Sequence, residues 1–180
     1  MTPLDDFLTH AGPFSDVVAA GGDWSAPSPC AGWSARDVLD HVVDTEREFF
    51  ERHEAGLGPR PDGEPATVWA THLDAVRAAA TPELLAREYD SVFGRTTVAA
   101  TLASFYGFDL VVHRWDLARG LGGDTTFTEP ELDLIEAALP GFGEHLYADG
   151  VCAAAVPVPE DASRQVRLLG TMGRDATSTG

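Results

Sequence analysis

Hydrophobic positions recur along this chain at three- and four-residue spacing, and clusters of glycine and proline separate the periodic stretches. The pattern predicts a helix over residues 3–20 with an interruption near Gly12 and Pro13, a helix over 34–53, and a third from about 65 to 81. Residues 21–32 are expected to form a long loop, and residues 82–87 a short helical turn. Ser34 followed by Asp37 predicts a capped start for the second helix.

The second half of the chain continues the same helical pattern. Residues 96–119 predict the most apolar helix, which ends at Gly120 where a C-terminal glycine belongs. Thr128 predicts the start of another helix, kinked at Pro140, and a last short helix is expected near residues 163–172. Together these segments predict an all-α protein: a four-helix bundle with short additional helices. We expect one domain over residues 1–174 and a frayed tail over residues 175–180.

Composition and charge exclude several classes of protein. The chain has 29 acidic against 12 basic residues and a formal net charge of -17, which would repel a phosphate backbone and excludes nucleic acid as an expected partner. No stretch approaches the roughly 20 apolar residues of a membrane span. The first residues are acidic, unlike those of a signal peptide, so we expect no membrane association and a cytoplasmic location. The two cysteines lie far apart, so reduced thiols are expected.

The apolar helix contains one isolated carboxylate. Asp109 is the only charged residue between Val98 and Val112, and an ionised carboxylate in such surroundings costs several kcal/mol unless it is compensated. His113 lies one helical turn further on the same face, and the pair could hold a metal ion with Asp116 orienting the imidazole. The alternative is an ordinary ion pair or a contact to a loop. A metal site would need a third ligand from elsewhere in the chain.

His41 is the histidine best placed to supply that ligand. It borders the apolar stripe of the second helix, although periodicity alone would equally allow an exposed imidazole. Glu46 projects onto the stripe itself and is a weaker candidate, which we interpret as a carboxylate at a helix contact. The other histidines are expected at the surface or at helix ends: His10, His53, His72 and His145.

Other catalytic motifs receive no support from this sequence. It contains no nucleophile elbow, no Walker-type phosphate loop and no dinucleotide fingerprint. Cys30 would be a reactive thiol if the following helix lowered its pKa, but a buried, inert cysteine is the preferred interpretation.

Two sequence motifs resemble those of a known family. Residues 29–42 (PCAGWSARDVLDHV) resemble the opening motif of the mycothiol-dependent maleylpyruvate isomerase family, within the DinB-like superfamily of helical metalloproteins. Residues 109–118 (DLVVHRWDLA) resemble its E-x-x-x-H-x-W-D-L-A signature, with Asp109 where glutamate is usual. Residues 156–175 are similar to the close of short, single-domain members.

The resemblance implies a DinB-like four-helix bundle with a divalent metal held by His41, Asp109 and His113. Zinc is the expected metal, with nickel as an alternative in purified protein, and open coordination positions would remain for water or a thiol. The implied chemistry is activation of mycothiol, a low-molecular-weight thiol, toward a small electrophile, as in a thiol transferase or isomerase. All 12 basic residues are arginine, which indicates GC-rich coding and fits an actinobacterial source.

Two other functions stay open from the sequence. One is a non-catalytic helical metal-binding or stress-response module, and the other is metal-assisted hydrolysis of a small thiol adduct. A homodimer is a further expectation, because apolar faces of such bundles often pair.

Overall fold

The structure, a computed structural model, describes residues 2–148 and 151–177. Its internal contacts group the chain into two compact units that meet in sequence between Asp124 and Thr125. The expected single domain over residues 1–174 stays a prediction. Of the expected frayed tail, residues 178–180 lie outside the described residues, whereas Asp175 accepts a hydrogen bond from the backbone N–H of Thr177 at 2.9 Å.

Four helices of the first unit form a bundle: α1 (Pro3–Ala20), α2 (Ala35–Arg52), α3 (Pro65–Ala79) and α6 (Gly107–Leu121). Helix α6 packs against α1 and α2, and α3 packs against the same two helices. The bundle confirms the predicted all-α, DinB-like four-helix architecture. Its core contains the large side chains of Phe7, Phe14, Phe50, Leu39 and Leu110, all fully buried.

Helix α1 is continuous, so the predicted interruption near Gly12 and Pro13 is wrong. Pro13 lies inside the helix, where it removes one backbone hydrogen bond. Ala11 and Phe14, on either side of it, are nevertheless buried in the core. Burial of this apolar face offsets the free-energy cost of the proline. A prediction from helix propensity alone does not include that burial.

A β-hairpin interrupts the helices where the sequence pattern predicted no strand. After the short helix α4 (Pro82–Leu85), β1 (Glu88–Ser91) pairs antiparallel with β2 (Gly94–Thr97), with Ser91 opposite Gly94. The two residues between the strands are Val92 and Phe93, and Gly94 takes the left-handed conformation with φ 104°. A small strand pair is therefore added to a fold that is otherwise helical.

The predicted helix over residues 96–119 is three segments in the structure. It begins as α5 (Val98–Thr101), widens into a π-helical segment (Leu102–Tyr106), and continues as α6. It also ends later than predicted, because Gly122 and not Gly120 takes the left-handed cap conformation, with φ 75°. Gly120 instead packs closely against Ala35 and Pro27, where a Cβ atom would meet both at 3.4 Å.

The second unit contains α7 (Glu129–Phe142), a 3₁₀ turn (Gly143–Tyr147) and α8 (Arg164–Thr171). The predicted start of α7 is confirmed by a capping box between Thr128 and Glu131. Helix α8 packs against α7 and begins at the cap residue Ser163. Among the described residues, no helix has both the length and the apolar character needed to cross a membrane.

Candidate metal centre

Helix α2 places His41 in the first unit. Ser34 and Asp37 form the predicted capping box, in which each side chain accepts a hydrogen bond from the other residue's backbone N–H. Val38 and Val42, on either side of His41, are fully buried. His41 itself is half-buried at the edge of this apolar stripe, which is the cleft-facing alternative that periodicity left open.

Helix α6 supplies the next two side chains. Asp109 and His113 lie on one face a single turn apart, and the distance from Asp109 Oδ1 to His113 Nε2 is 3.4 Å. The imidazole is almost completely buried, and the carboxylate is 20% exposed. The short helical spacing therefore directs one ring nitrogen and one carboxylate oxygen at the same point.

The packing of α2 against α6 completes the group. One ligand atom from each of His41, Asp109 and His113 lies within 4.8 Å of the other two. The two imidazole rings meet edge to face with centroids 5.0 Å apart. The structure thus brings together the three side chains named from the sequence, whereas their binding of a metal stays a prediction.

Asp116 fixes the orientation of the His113 ring. Its Oδ2 lies 3.0 Å from His113 Nδ1, and the carboxylate is completely buried. When Nδ1 donates its proton to this carboxylate, the lone pair of Nε2 points toward Asp109 and is free for a metal. Two imidazoles and one carboxylate with such an oriented histidine fit a catalytic divalent-metal site.

The pKa values of the two histidines shift in opposite directions. Burial lowers the pKa of His41, and the nearby His113 lowers it further, so both favour the neutral imidazole. Burial also acts to lower the pKa of His113, but the carboxylate of Asp109 and the hydrogen bond to Asp116 raise it to about 10. Both carboxylates therefore favour a positive charge at this position.

A second set of possible ligands shares His113. Cys30, Asp116 and His113 also present ligand atoms within 4.8 Å of one another. Cys30 is half-buried, and its Sγ lies 3.4 Å from Asp116 Oδ2. The sequence interpretation treated Cys30 as inert, and its position beside the candidate centre was not expected.

The loop before α2 also places Trp33 at this centre. Its ring lies 4.8 Å from the His41 ring and 6.4 Å from the His113 ring, measured between centroids. Backbone hydrogen bonds hold the loop, including Trp33 N–H to the Cys30 carbonyl and Ser28 N–H to the Trp33 carbonyl. Cys30 and Trp33 both lie in the motif at residues 29–42, which also contains His41. This motif was the sequence signal that could have placed them at the site.

Glu46 and His72 form a buried pair outside the three-residue group. His72 is fully buried, so its predicted surface or helix-end position is wrong. Its Nε2 lies 2.7 Å from Glu46 Oε2, and the pair links α2 to α3. Burial raises the pKa of Glu46, and the hydrogen bond with His72 offsets only part of this shift. The interpretation of Glu46 as a carboxylate at a helix contact agrees with this position.

The remaining histidines are not among the three candidate ligands. His53 is the C-cap of α2, as expected for a helix-end residue, although its side chain is buried against aromatic rings. His145 is exposed in the second unit, and His10 is half-buried on α1.

Comparisons with known proteins cover the part of the chain that carries these side chains. The family model described as the mycothiol maleylpyruvate isomerase N-terminal domain matches residues 13–118, which include all three predicted ligands. Two uncharacterized proteins of Mycobacterium tuberculosis, from strains CDC 1551 and H37Rv, are each 26% identical over 153 residues, covering 82% of this chain and 83% of the relative. No solved structure matches the chain.

Proposed function

The chain belongs to the mycothiol maleylpyruvate isomerase N-terminal domain family, and from this premise we propose that it is a divalent-metal-dependent enzyme. Its reaction is the attack of a low-molecular-weight thiol, mycothiol, on a small electrophile. Zinc is the proposed metal, and a cytoplasmic location belongs to the same proposal. Nucleic acid and membranes are not proposed as partners.

The observation that carries the proposal is the convergence of His41, Asp109 and His113 within 4.8 Å. Three protein ligands leave a coordination position for an exchangeable group, as in catalytic zinc sites. A bound divalent metal supplies a Lewis acid that lowers the pKa of a thiol or water molecule at the site. The buried position of His113 limits access of water to one side of the centre.

The side chains around the ligands have separate tasks in this proposal. Asp116 holds the Nδ1 proton of His113, so that the ring keeps one orientation and one tautomer. Trp33 packs against the His41 ring and limits the rotation of that ring. The electrophile approaches from the side on which Asp109 is partly exposed.

The proposed reaction conserves the atoms of the thiol. The thiol loses its proton, its sulfur forms a bond to an electrophilic carbon, and the proton is returned to the adduct. In a transferase the new S–C bond stays in the product, whereas in an isomerase it breaks again and the thiol is regenerated. The metal site is the same in both cases.

Elemental analysis of the purified protein tests the site directly. Wild type is expected to contain about one equivalent of zinc, or to take up zinc or nickel, and His113→Ala and Asp109→Ala are expected to lose it. His145→Ala is the matched control, because that imidazole is exposed in the second unit and should leave the metal content unchanged. Consumption of mycothiol with activated alkenes, to which the sulfur and the proton both add, then tests the chemistry.

The possible outcomes separate the proposal from its alternatives. A wild type that is free of metal and takes up neither zinc nor nickel would contradict the enzyme proposal. Metal binding without consumption of thiol or electrophile would favour a non-catalytic metal-binding module. Loss of metal in both ligand variants, together with loss of thiol-dependent turnover, would support the proposal.

A further inference from the structure

A cavity of about 700 Å³ lies in the first unit, between the end of α2, the hairpin and the π-helical segment. We call it the hairpin cavity. Pockets that bind small molecules usually have volumes of roughly 300 to 1,000 Å³. The size therefore fits a small organic ligand.

The hairpin cavity is lined by five phenylalanine and tyrosine side chains. They come from three separate elements of the first unit: Phe49, Tyr89, Phe93, Phe105 and Tyr106. Contacts within the wall hold several rings in place: the Phe49 and Tyr106 centroids are 4.9 Å apart, and Tyr89 Oη lies 2.7 Å from Thr101 Oγ1. A preformed aromatic wall favours a ligand with a flat apolar part.

Arg52 adds a positive charge to this wall. Among the described residues, no carboxylate lies within ion-pair distance of its guanidinium, although the chain carries a net charge of -17. The other charged lining residues, Arg95 and Asp90, form an ion pair at 3.9 Å, so their charges offset each other. Arg95 also pairs with Glu88 at 2.8 Å. Arg52 is thus the lining cation that is left for an anionic ligand.

The mouth of the cavity has an exposed apolar tip. Val92 is 81% exposed and Phe93 is 53% exposed, although the loop of a two-residue hairpin usually carries glycine, asparagine or aspartate. Large exposed apolar side chains beside a pocket are typical of a surface that a ligand covers. Both residues line the cavity.

The hairpin cavity is separate from the candidate metal centre. Its lining includes none of His41, Asp109 and His113. Tyr106, which lines the cavity, donates a hydrogen bond from its Oη to the Thr45 carbonyl at 3.2 Å. A ligand of the cavity therefore needs no metal for binding.

We propose that the hairpin cavity is a binding site for an aromatic carboxylate. Its ring lies against the wall formed by Phe49, Phe105 and Tyr106, and its carboxylate pairs with Arg52. The aromatic wall accounts for the flat apolar part of the ligand, and the arginine accounts for its charge. This inference does not depend on the proposed thiol chemistry.

Calorimetric titration with 3-phenylpropionate tests the proposal, with neutral 3-phenylpropanamide as the matched probe. Wild type should bind the carboxylate, and Arg52→Gln should weaken that binding about tenfold, because a charge-assisted hydrogen bond is lost. The amide should bind weakly and equally to both proteins. Arg77→Gln, an exposed arginine on α3, and His113→Ala should bind the carboxylate as wild type does.

Three results would overturn the proposal. They are no binding of the carboxylate by folded wild type, equal binding of carboxylate and amide, and equal binding by wild type and Arg52→Gln. Light scattering provides a further test, because a second copy could cover the apolar tip instead. A dimer that excludes the probe and that Phe93→Ser converts to a monomer would assign the cavity to an interface and contradict a ligand site.

Discussion

Two sets of possible ligands share His113, and substitution of the two carboxylates distinguishes them. In the first set, Asp109 is a ligand and Asp116 only orients the imidazole; in the second, Asp116 and Cys30 are ligands. We expect the first set to hold the metal. The informative changes are Asp109→Asn, Asp116→Asn and Cys30→Ala, because none of them adds volume to the site.

The expected magnitudes follow from the role of each group. Asp116 accepts a hydrogen bond from His113 at 3.0 Å, and loss of such an orienting partner typically weakens metal binding 10- to 100-fold, or about 1.4 to 2.7 kcal/mol. An asparagine oxygen still accepts the Nδ1 proton, so the lower end of this range is expected. Asp109→Asn removes a direct ligand and should have the larger effect, whereas Cys30→Ala should have little effect.

Competition with a chromophoric zinc chelator at constant pH measures these affinities. Circular dichroism of each metal-free variant provides the control for folding, because Asp116 is buried and its substitution could also affect stability. The reasoning is refuted if Asp116→Asn and Cys30→Ala both abolish zinc binding while Asp109→Asn retains it. That order would place the metal in the second set, on the Nδ1 side of His113.

Two further changes test the helices that support the site. Glu46→Gln should become more stable relative to wild type as the pH rises from about 4 to about 7. The reason is that burial raises the pKa of Glu46, so the stability contributed by its protonated form is complete below the unfolded pKa of about 4.3 and is lost as the pH rises through the folded pKa. Urea unfolding at both pH values measures the difference, and a constant difference would contradict the expected charge state. Ser34→Ala should lower the free energy of unfolding by about 1 kcal/mol, because it removes the side-chain cap of α2. Ser34→Thr keeps a capping hydroxyl and should lose much less stability. Equal losses of stability in urea unfolding of the two variants would show that the cap is not the cause.

Local sequence signals predicted the helix starts well. Ser34 with Asp37 and Thr128 with Glu131 each form the capping boxes that their spacing indicates. These interactions join residues three positions apart, so the sequence contains both partners. The pairing of Asp109 with His113 has the same origin, because one helical turn separates them.

The hairpin was missed because its sequence carries no strand signal. The strands EYDS and GRTT are short and contain no fully buried residue, and their sequences lack the repeated alternation of apolar and polar residues that identifies a half-buried strand. Val92 and Phe93 stand where turn residues are usual. The burial of His72 was missed for a different reason, since its partner Glu46 comes from another helix.

Helical periodicity alone does not determine the third candidate ligand, His41. His41 and Asp109 are brought together by the packing of α2 against α6, and the facing side of α6 depends on the π-helical segment that precedes it. A π-helical turn has more residues than an α-helical turn, so it rotates the following helix relative to the preceding one. Within the apolar run 98–112 nothing marks this change of phase, and His41 alone is equally compatible with an exposed position. Periodicity singled out His41 at the border of the apolar stripe, and the family motif favoured its cleft-facing position, because the motif carries the result of packing that spacing within one helix does not contain.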